Sequence, residues 1–218
     1  MPLFISHTAY LDKFWKEKKY PKEYFYDGFL GNLLPDIRYF TKQSREQTHS
    51  KDLMETILIS PSTDPQRIKY FKEGFDFHLI LDKWWQKQIY FPSDFEKFGL
   101  CLKFYDDILL AKKITQIDLF QDKKIGLVYD IDFLDLQKET VKKWYNFVFN
   151  YIKNITDDPS PDGIRKILQS SKLFNEELSK KIAEEIDKIS QNNEIKNKLI
   201  EMFDGKYKND KLRLTIDL

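Results

Sequence analysis

His7, His49 and His78 are the only histidines in the chain; His78 stands four residues before Asp82, and His49 three before Asp52. A run with helical periodicity puts His78 and Asp82 on one face. That face is otherwise the apolar stripe of Phe71, Phe75, Trp85 and Ile89. A carboxylate on such a stripe is buried, and burial without a partner costs several kcal/mol. His7 falls in line with Phe4, Leu11 and Phe14 in the same manner. One imidazole on an apolar face is ordinarily a hydrogen-bonded core residue. Two helices that each replace core positions with metal-type ligands are most economically explained by a shared metal. Asp36, directly after Pro35 at the end of a Gly-containing turn, is a carboxylate that the backbone can aim inward. Imidazole and carboxylate without thiolate form the donor set of hydrolytic zinc, manganese or iron centres.

Composition narrows the remaining classes. Lys and Arg total 36 against 35 Asp and Glu, a net charge of +1 over 218 residues. A dedicated binder of long nucleic acid needs a basic excess, so none is expected; a mononucleotide or short oligonucleotide needs no such excess. The single cysteine, Cys101, forbids an internal disulfide and any zinc site built on cysteine pairs. At 41% hydrophobic and 33% charged residues, the chain reads as neither a disordered tail nor a membrane protein. No apolar run approaches a membrane span. The opening Met1-Pro2-Leu3-Phe4-Ile5-Ser6-His7 lacks the basic-then-apolar pattern of a secretory signal, so a cytoplasmic location is expected. Eighteen Phe, 12 Tyr and 4 Trp beside only 7 Gly suit a helical protein with a bulky aromatic core.

Helices must position these residues. Spacing predicts a first helix over about 6–18, and a second that starts at Pro21 and fades near Gly28 and Gly31. A third is expected over 44–59, ended by Pro61, and the longest over 64–90, closed by Pro92. Ser93 is a cap for a helix over 95–112; residues 114–135 are ambiguous, with 125–129 a short strand or a buried linker. A strongly amphipathic helix follows over 141–155. The turn-forming run Asp157-Asp158-Pro159-Ser160-Pro161-Asp162-Gly163 marks a boundary, beyond which short Lys- and Glu-rich helices carry almost no aromatics. The expected organisation is a helical domain over 1–158 and a C-terminal helical extension over 159–218, ending in an alternating strand over 211–218. That extension is also a candidate surface for a protein partner.

Taken in order, Ser6-His7-Thr8, Gly28-x-x-Gly31-Asn32-Leu33-Leu34-Pro35-Asp36, Thr48-His49 and Gly74-x-x-x-His78-x-x-x-Asp82-x-Trp84 resemble the zinc-dependent phospholipase C family. That superfamily includes the single-strand-specific zinc nucleases, and its members are all-helical hydrolases of phosphate esters. The resemblance covers roughly residues 4–90 and uses all three histidines. It implies an all-α, multi-helix phospholipase C-like bundle around a metal site. His7, Asp36, His49, His78 and Asp82 are the ligands it implies, with Asp36 or Asp82 bridging two ions. The implied cofactor is Zn2+, as one or two ions, with Mn2+ or Fe2+ as alternatives of similar ligand chemistry. Fuller members carry a further His shortly after the match to Asp82. Here Lys83-Trp84-Trp85-Gln86-Lys87-Gln88 follows and no His lies downstream, which disfavours a third ion. Asp106 or Asp107 is the carboxylate that the next helix offers to complete the set.

The mechanism implied follows from the metal. Two divalent ions about 3.5–4 Å apart polarise a phosphoryl oxygen, stabilise the leaving oxygen and lower the pKa of a bridging water to about 7. The resulting hydroxide attacks phosphorus in line. Asp36 and Asp82 carry the catalytic role in this scheme, and the outer nitrogen of each His donates to a carboxylate or carbonyl. Asp52 is a candidate outer partner of the ligands, while Arg38 and Arg45 flank the site and are candidates to clamp phosphate. Trp84, Trp85, Tyr39 and Phe40 either pack the core or meet a base or an acyl chain. The expected function is a metal-dependent hydrolase of phosphate esters, phospholipase C-like, with a phospholipid or a nucleotide as the phosphate-ester substrate. The alternatives are a nuclease or nucleotide phosphodiesterase, and a non-catalytic metal-binding scaffold acting through the C-terminal helices. Motifs that only hold metal do not read the substrate.

Overall fold

Apolar stripes at helical spacing need partner faces, and in this chain other helices supply them. The computed structural model describes residues 3–50, 52–53, 58–59, 63–90, 100–114, 131–132, 136–170 and 176–209, and over these the fold is all-α. In chain order the helices are α1 (Phe4–Glu17), α2 (Phe25–Leu33), α3 (Arg45–Thr48), α4 (Pro65–Trp85) and α5 (Leu100–Leu110). They continue as α6 (Lys138–Asp157), α7 (Pro161–Ser170), α8 (Glu176–Gln191) and α9 (Asn193–Asn209). Tight 3-10 turns run over Lys22–Tyr24, Leu34–Tyr39 and Ala111–Lys113, and α4 widens into a π turn over Gln86–Tyr90. A short antiparallel ladder joins β1 (Leu58–Ile59) to β2 (Ile131–Asp132), with Leu58 paired to Asp132 and Ile59 to Ile131. Among the described residues, no helix is long and apolar enough to cross a membrane.

The chain divides into two compact units. One comprises Met1–Tyr10, Ile80–Lys113 and Ile152–Leu218; the other comprises Leu11–Leu79 and Ile114–Tyr151. In the second unit, Trp15, Phe25, Phe29, Phe71, Phe75, Trp144 and Tyr145 form an aromatic core. There α2 and α4 meet backbone to backbone. A Cβ on Gly74 would lie 1.8 Å from the Gly28 carbonyl oxygen, and one on Gly31 would lie 1.9 Å from that of Phe71. From α6, the Trp144 indole donates to the Leu33 carbonyl at 3.1 Å and the Tyr145 hydroxyl to that of Leu30 at 2.6 Å. Both carbonyls lie in the last turn of α2, and that of Leu30 accepts from the Leu34 N–H as well.

In the first unit, α5 packs against α7, α8 and α9. Ile164, Ile167, Leu168, Ile182, Ile186, Ile189, Leu199 and Phe203 are the buried apolar residues of those three helices. Asp107 of α5 caps the start of α1: the Ile5 N–H donates to its carboxylate at 3.2 Å and the Ser6 N–H at 2.8 Å. A carboxylate there satisfies two orphan donors and meets the positive end of the helix dipole.

One element differs from expectation. α2 ends at Leu33, just past Gly31, and both glycines lie in its close crossing with α4. Of the helix expected over 44–59, Arg45–Thr48 and Leu53 are helical, Leu58–Ile59 is strand, and residues 51 and 54–57 lie outside the described residues. Ser44 starts it with a capping box, its hydroxyl accepting from the Gln47 N–H while the Gln47 side chain accepts from its own N–H. The Thr48 hydroxyl then bonds back to the Ser44 and Arg45 carbonyls, and His49 at φ −116° has left the helix. The cap at Ser93, the segment 125–129 and the tail 211–218 lie outside the described residues.

Candidate metal centre

The second unit brings together three of the expected ligands. Asp36 sits on the 3-10 turn that follows α2, His49 just after α3, and His78 on α4. Each offers one ligand atom, and these atoms lie within 4.8 Å of one another. The Nε2 atoms of His49 and His78 are 3.2 Å apart, and His49 Nε2 is 3.9 Å from Asp36 Oδ1. Asp36 and His78 are fully buried, and the His49 side chain is 6% exposed, so the cluster reaches solvent on the His49 side.

Their outer contacts set the tautomers. His78 Nδ1 donates to the Asn32 carbonyl at 2.6 Å, which leaves its Nε2 as a lone pair pointing at His49. The Thr48 hydroxyl lies 2.8 Å from His49 Nδ1 and 3.3 and 3.4 Å from the Ser44 and Arg45 carbonyls, so it holds the His49 ring from its outer side. Two imidazole Nε2 atoms thus stand 3.2 Å apart beside a buried carboxylate. Three donors of this chemistry fit a divalent ion.

The first unit holds the other two expected ligands. His7 Nε2 lies 3.4 Å from Asp82 Oδ1, and both side chains are buried. Asp82 is one turn beyond His78 along α4, as the four-residue spacing requires. Next to His7, the Ser6 hydroxyl approaches Asp106 Oδ2 at 2.8 Å and Asp107 Oδ1 at 2.6 Å, and the Trp85 indole donates to Asp106 at 3.0 Å. One hydroxyl proton cannot serve two carboxylates at once, so one contact needs a proton from an acid. Asp106 supplies it: burial, and then the Asp107 charge, push its carboxyl up to about 8 against the lowering effect of Ser6 and Trp85. Asp106 therefore stands beside the expected ligands as a neutral acid around pH 7, with Asp107 as the capping carboxylate.

The remaining candidates separate. Arg38 Nε is 3.8 Å from Asp36 Oδ1, and its guanidinium lies 4.5 Å over the Tyr39 ring. Arg45 is half-buried at the start of α3. Asp52 is exposed, and its backbone N–H donates to the Ser50 hydroxyl at 3.2 Å. Of the aromatic residues near the motifs, Trp85 is core, Trp84 meets Tyr10 edge-on, and Phe40 packs on Trp144 and Phe147 while 41% exposed. Sequence reasoning missed the Asn32 carbonyl, the Thr48 hydroxyl and the Ser6 hydroxyl as orienting groups. Each lies inside a quoted motif, beside a ligand or four residues from one, and that adjacency was the available signal. No family model, no curated protein and no solved structure matches the chain.

Proposed function

We propose that the protein is a metal-dependent hydrolase of phosphate esters, phospholipase C-like, with zinc as its cofactor. The observation that carries this reading is the convergence of the His49 and His78 Nε2 atoms beside the buried Asp36 carboxylate. His7 and Asp82, 3.4 Å apart, are the second pair of ligands. When bound, a divalent ion at such a site supplies an activated water and polarises the phosphoryl oxygen. The chain's own groups do the rest. The Asn32 carbonyl and Thr48 hydroxyl fix the two imidazole rings, which is what keeps ligand geometry constant. Asp36 and Asp82 are the carboxylates that would balance the charge of a bound ion beside the histidines of their own units. The substrate class in this reading is a phosphate ester, a phospholipid or a nucleotide, and a cytoplasmic setting accords with the single cysteine.

Elemental analysis of the unchelated protein tests the reading, and one or two transition-metal ions per chain is the expected result. His78→Ala and Asp82→Ala should each abolish metal binding while leaving most of the helical circular dichroism. Chelation should abolish release of nitrophenol from bis(p-nitrophenyl) phosphate and of the phosphorylated headgroup from phospholipid vesicles. A fully loaded His78→Ala protein would sink the ligand assignment.

A further inference from the structure

The candidate centre has a polarity of its own: its buried end is Asp36 and His78, and its half-open end carries a cation. Arg38 lies two residues after Asp36 on the same 3-10 turn, and its side chain is 21% exposed where that of Asp36 is fully buried. The Nε atom is 3.8 Å from Asp36 Oδ1, Nη2 donates to the Tyr39 hydroxyl at 3.1 Å, and the guanidinium lies over the Tyr39 ring. Its plane is thus fixed from two sides. Arg45 belongs to the same patch. The exposed Glu46 carboxyl is held down first by a backbone N–H and the Ser44 hydroxyl, and then by the charges of Arg45 and Arg38 together. Both guanidinium charges thus act on Glu46, at the start of α3.

We infer that Arg38 forms the anion-binding wall of the centre and recognises a dianionic phosphoryl group; this rests on the metal-dependent reading above. Charge decides the class of ligand. With neutral imidazoles, a divalent ion less the Asp36 carboxylate plus the Arg38 guanidinium leaves a formal charge of about +2, complementary to a dianion. A phosphodiester is a monoanion in its ground state. It becomes a dianion only in the transition state of attack and again in the phosphomonoester product. A preset cation beside the reacting phosphorus is therefore worth more to the transition state than to the substrate. The same preference makes inorganic phosphate and the monoester product inhibitors of the reaction. A planar guanidinium suits two phosphoryl oxygens at once, which a lysine ammonium cannot match.

The test uses inorganic phosphate, titrated calorimetrically into the full-length, metal-loaded chain, with metal content measured on the same samples. Arg38→Gln keeps an amide donor for Asp36 and removes the charge; Arg38→Lys keeps the charge and removes the fork. Phosphate affinity should fall by about 10- to 100-fold in Arg38→Gln and by less in Arg38→Lys, with metal stoichiometry unchanged in both. With a phosphodiester substrate, Arg38→Gln should lower kcat much more than it raises KM. Wild-type phosphate affinity in a metal-loaded Arg38→Gln protein overturns this inference and leaves the metal reading standing. Loss of metal in both variants also overturns it, because Arg38 would then act only by supporting Asp36. A wild-type chain that binds no metal overturns both.

Discussion

Asp106 and Asp107 are adjacent on one helix and buried, and the two carboxyls behave differently because their partners differ. Asp107 accepts two backbone N–H donors at the positive end of α1 and suits a charge, whereas Asp106 meets a hydroxyl and an indole within an apolar wall. Its carboxyl, raised from 3.8 to about 8, makes a directional prediction. Between these values the folded state holds a proton that the unfolded chain has released, so the contribution to stability is full below about 4 and declines as pH rises to about 8. Asp106→Asn imitates the neutral acid and should remove that slope. Urea midpoints measured from pH 5 to 9 should show wild type losing stability relative to Asp106→Asn up to about pH 8, then a constant gap. Parallel profiles would mean that Asp106 is ionised throughout. At this scale the candidate ligands were legible, because imidazoles and carboxylates on apolar stripes stand out against their neighbours. The groups that orient them were not. A backbone carbonyl such as that of Asn32 has no signature in residue type, and Ser6 and Thr48 read as ordinary helix-end residues.

Elements explain why those orienting groups are in place. The Asn32 carbonyl reaches His78 at 2.6 Å because α2 and α4 cross with Gly31 and Gly74 at the contact. Any side chain there drives the backbones apart, since the atoms it would meet belong to main chain and not to a flexible side-chain end. Gly74→Ala should therefore destabilise the protein by about 3 kcal/mol in urea unfolding, at the upper end of overpacking costs. It should also weaken metal binding by about 10- to 100-fold, because the outer hydrogen bond to His78 lengthens. Unchanged metal affinity in a destabilised Gly74→Ala protein would show that the crossing supports the fold without tuning the site. The periodicity of α4 and α6 was plain from their stripes, and both helices form close to the expected bounds. The glycines of α2 stand near its end at Leu33 and also serve the crossing, a second role that was not legible because a glycine that permits a close crossing and one that ends a helix look alike in one chain. The length of α3 misled for a different reason: Thr48 bonds back to the preceding turn and His49 leaves it, a local competition that apolar spacing does not report.

At the scale of the whole chain, composition changes at Asp158, and the packing has its own grouping. Residues Ile152–Leu218 fall in one unit with Met1–Tyr10 and Ile80–Lys113, an interleaving that no linker signal marks. The bond from the Ser6 N–H to Asp107 spans 101 residues of sequence, and nothing short-range in the chain points to it. The consequence is a test by truncation. Helix α5 is covered by α7, α8 and α9, and the Cys101 thiol on α5 donates to the Ile182 carbonyl of α8 at 3.9 Å. Burial pushes that thiol up to about 11, with Glu185 of α8 adding to the shift, so in the intact chain Cys101 is both covered and protonated near pH 7. Removing everything after Asp158 takes away eight buried apolar side chains, each worth about 1.5–3 kcal/mol, against a total stability of about 5–15 kcal/mol for an ordinary domain. The truncated chain should lose its cooperative thermal transition, and Cys101 should react with an aromatic disulfide reagent at the rate of an exposed thiol. Because α5 also carries the Asp107 cap that holds the start of α1, the position of His7 should loosen, and metal content should fall below that of the full chain. A truncated chain that melts sharply, keeps Cys101 protected and retains its metal would show instead that residues 159–218 are an appendage to a domain that folds without them.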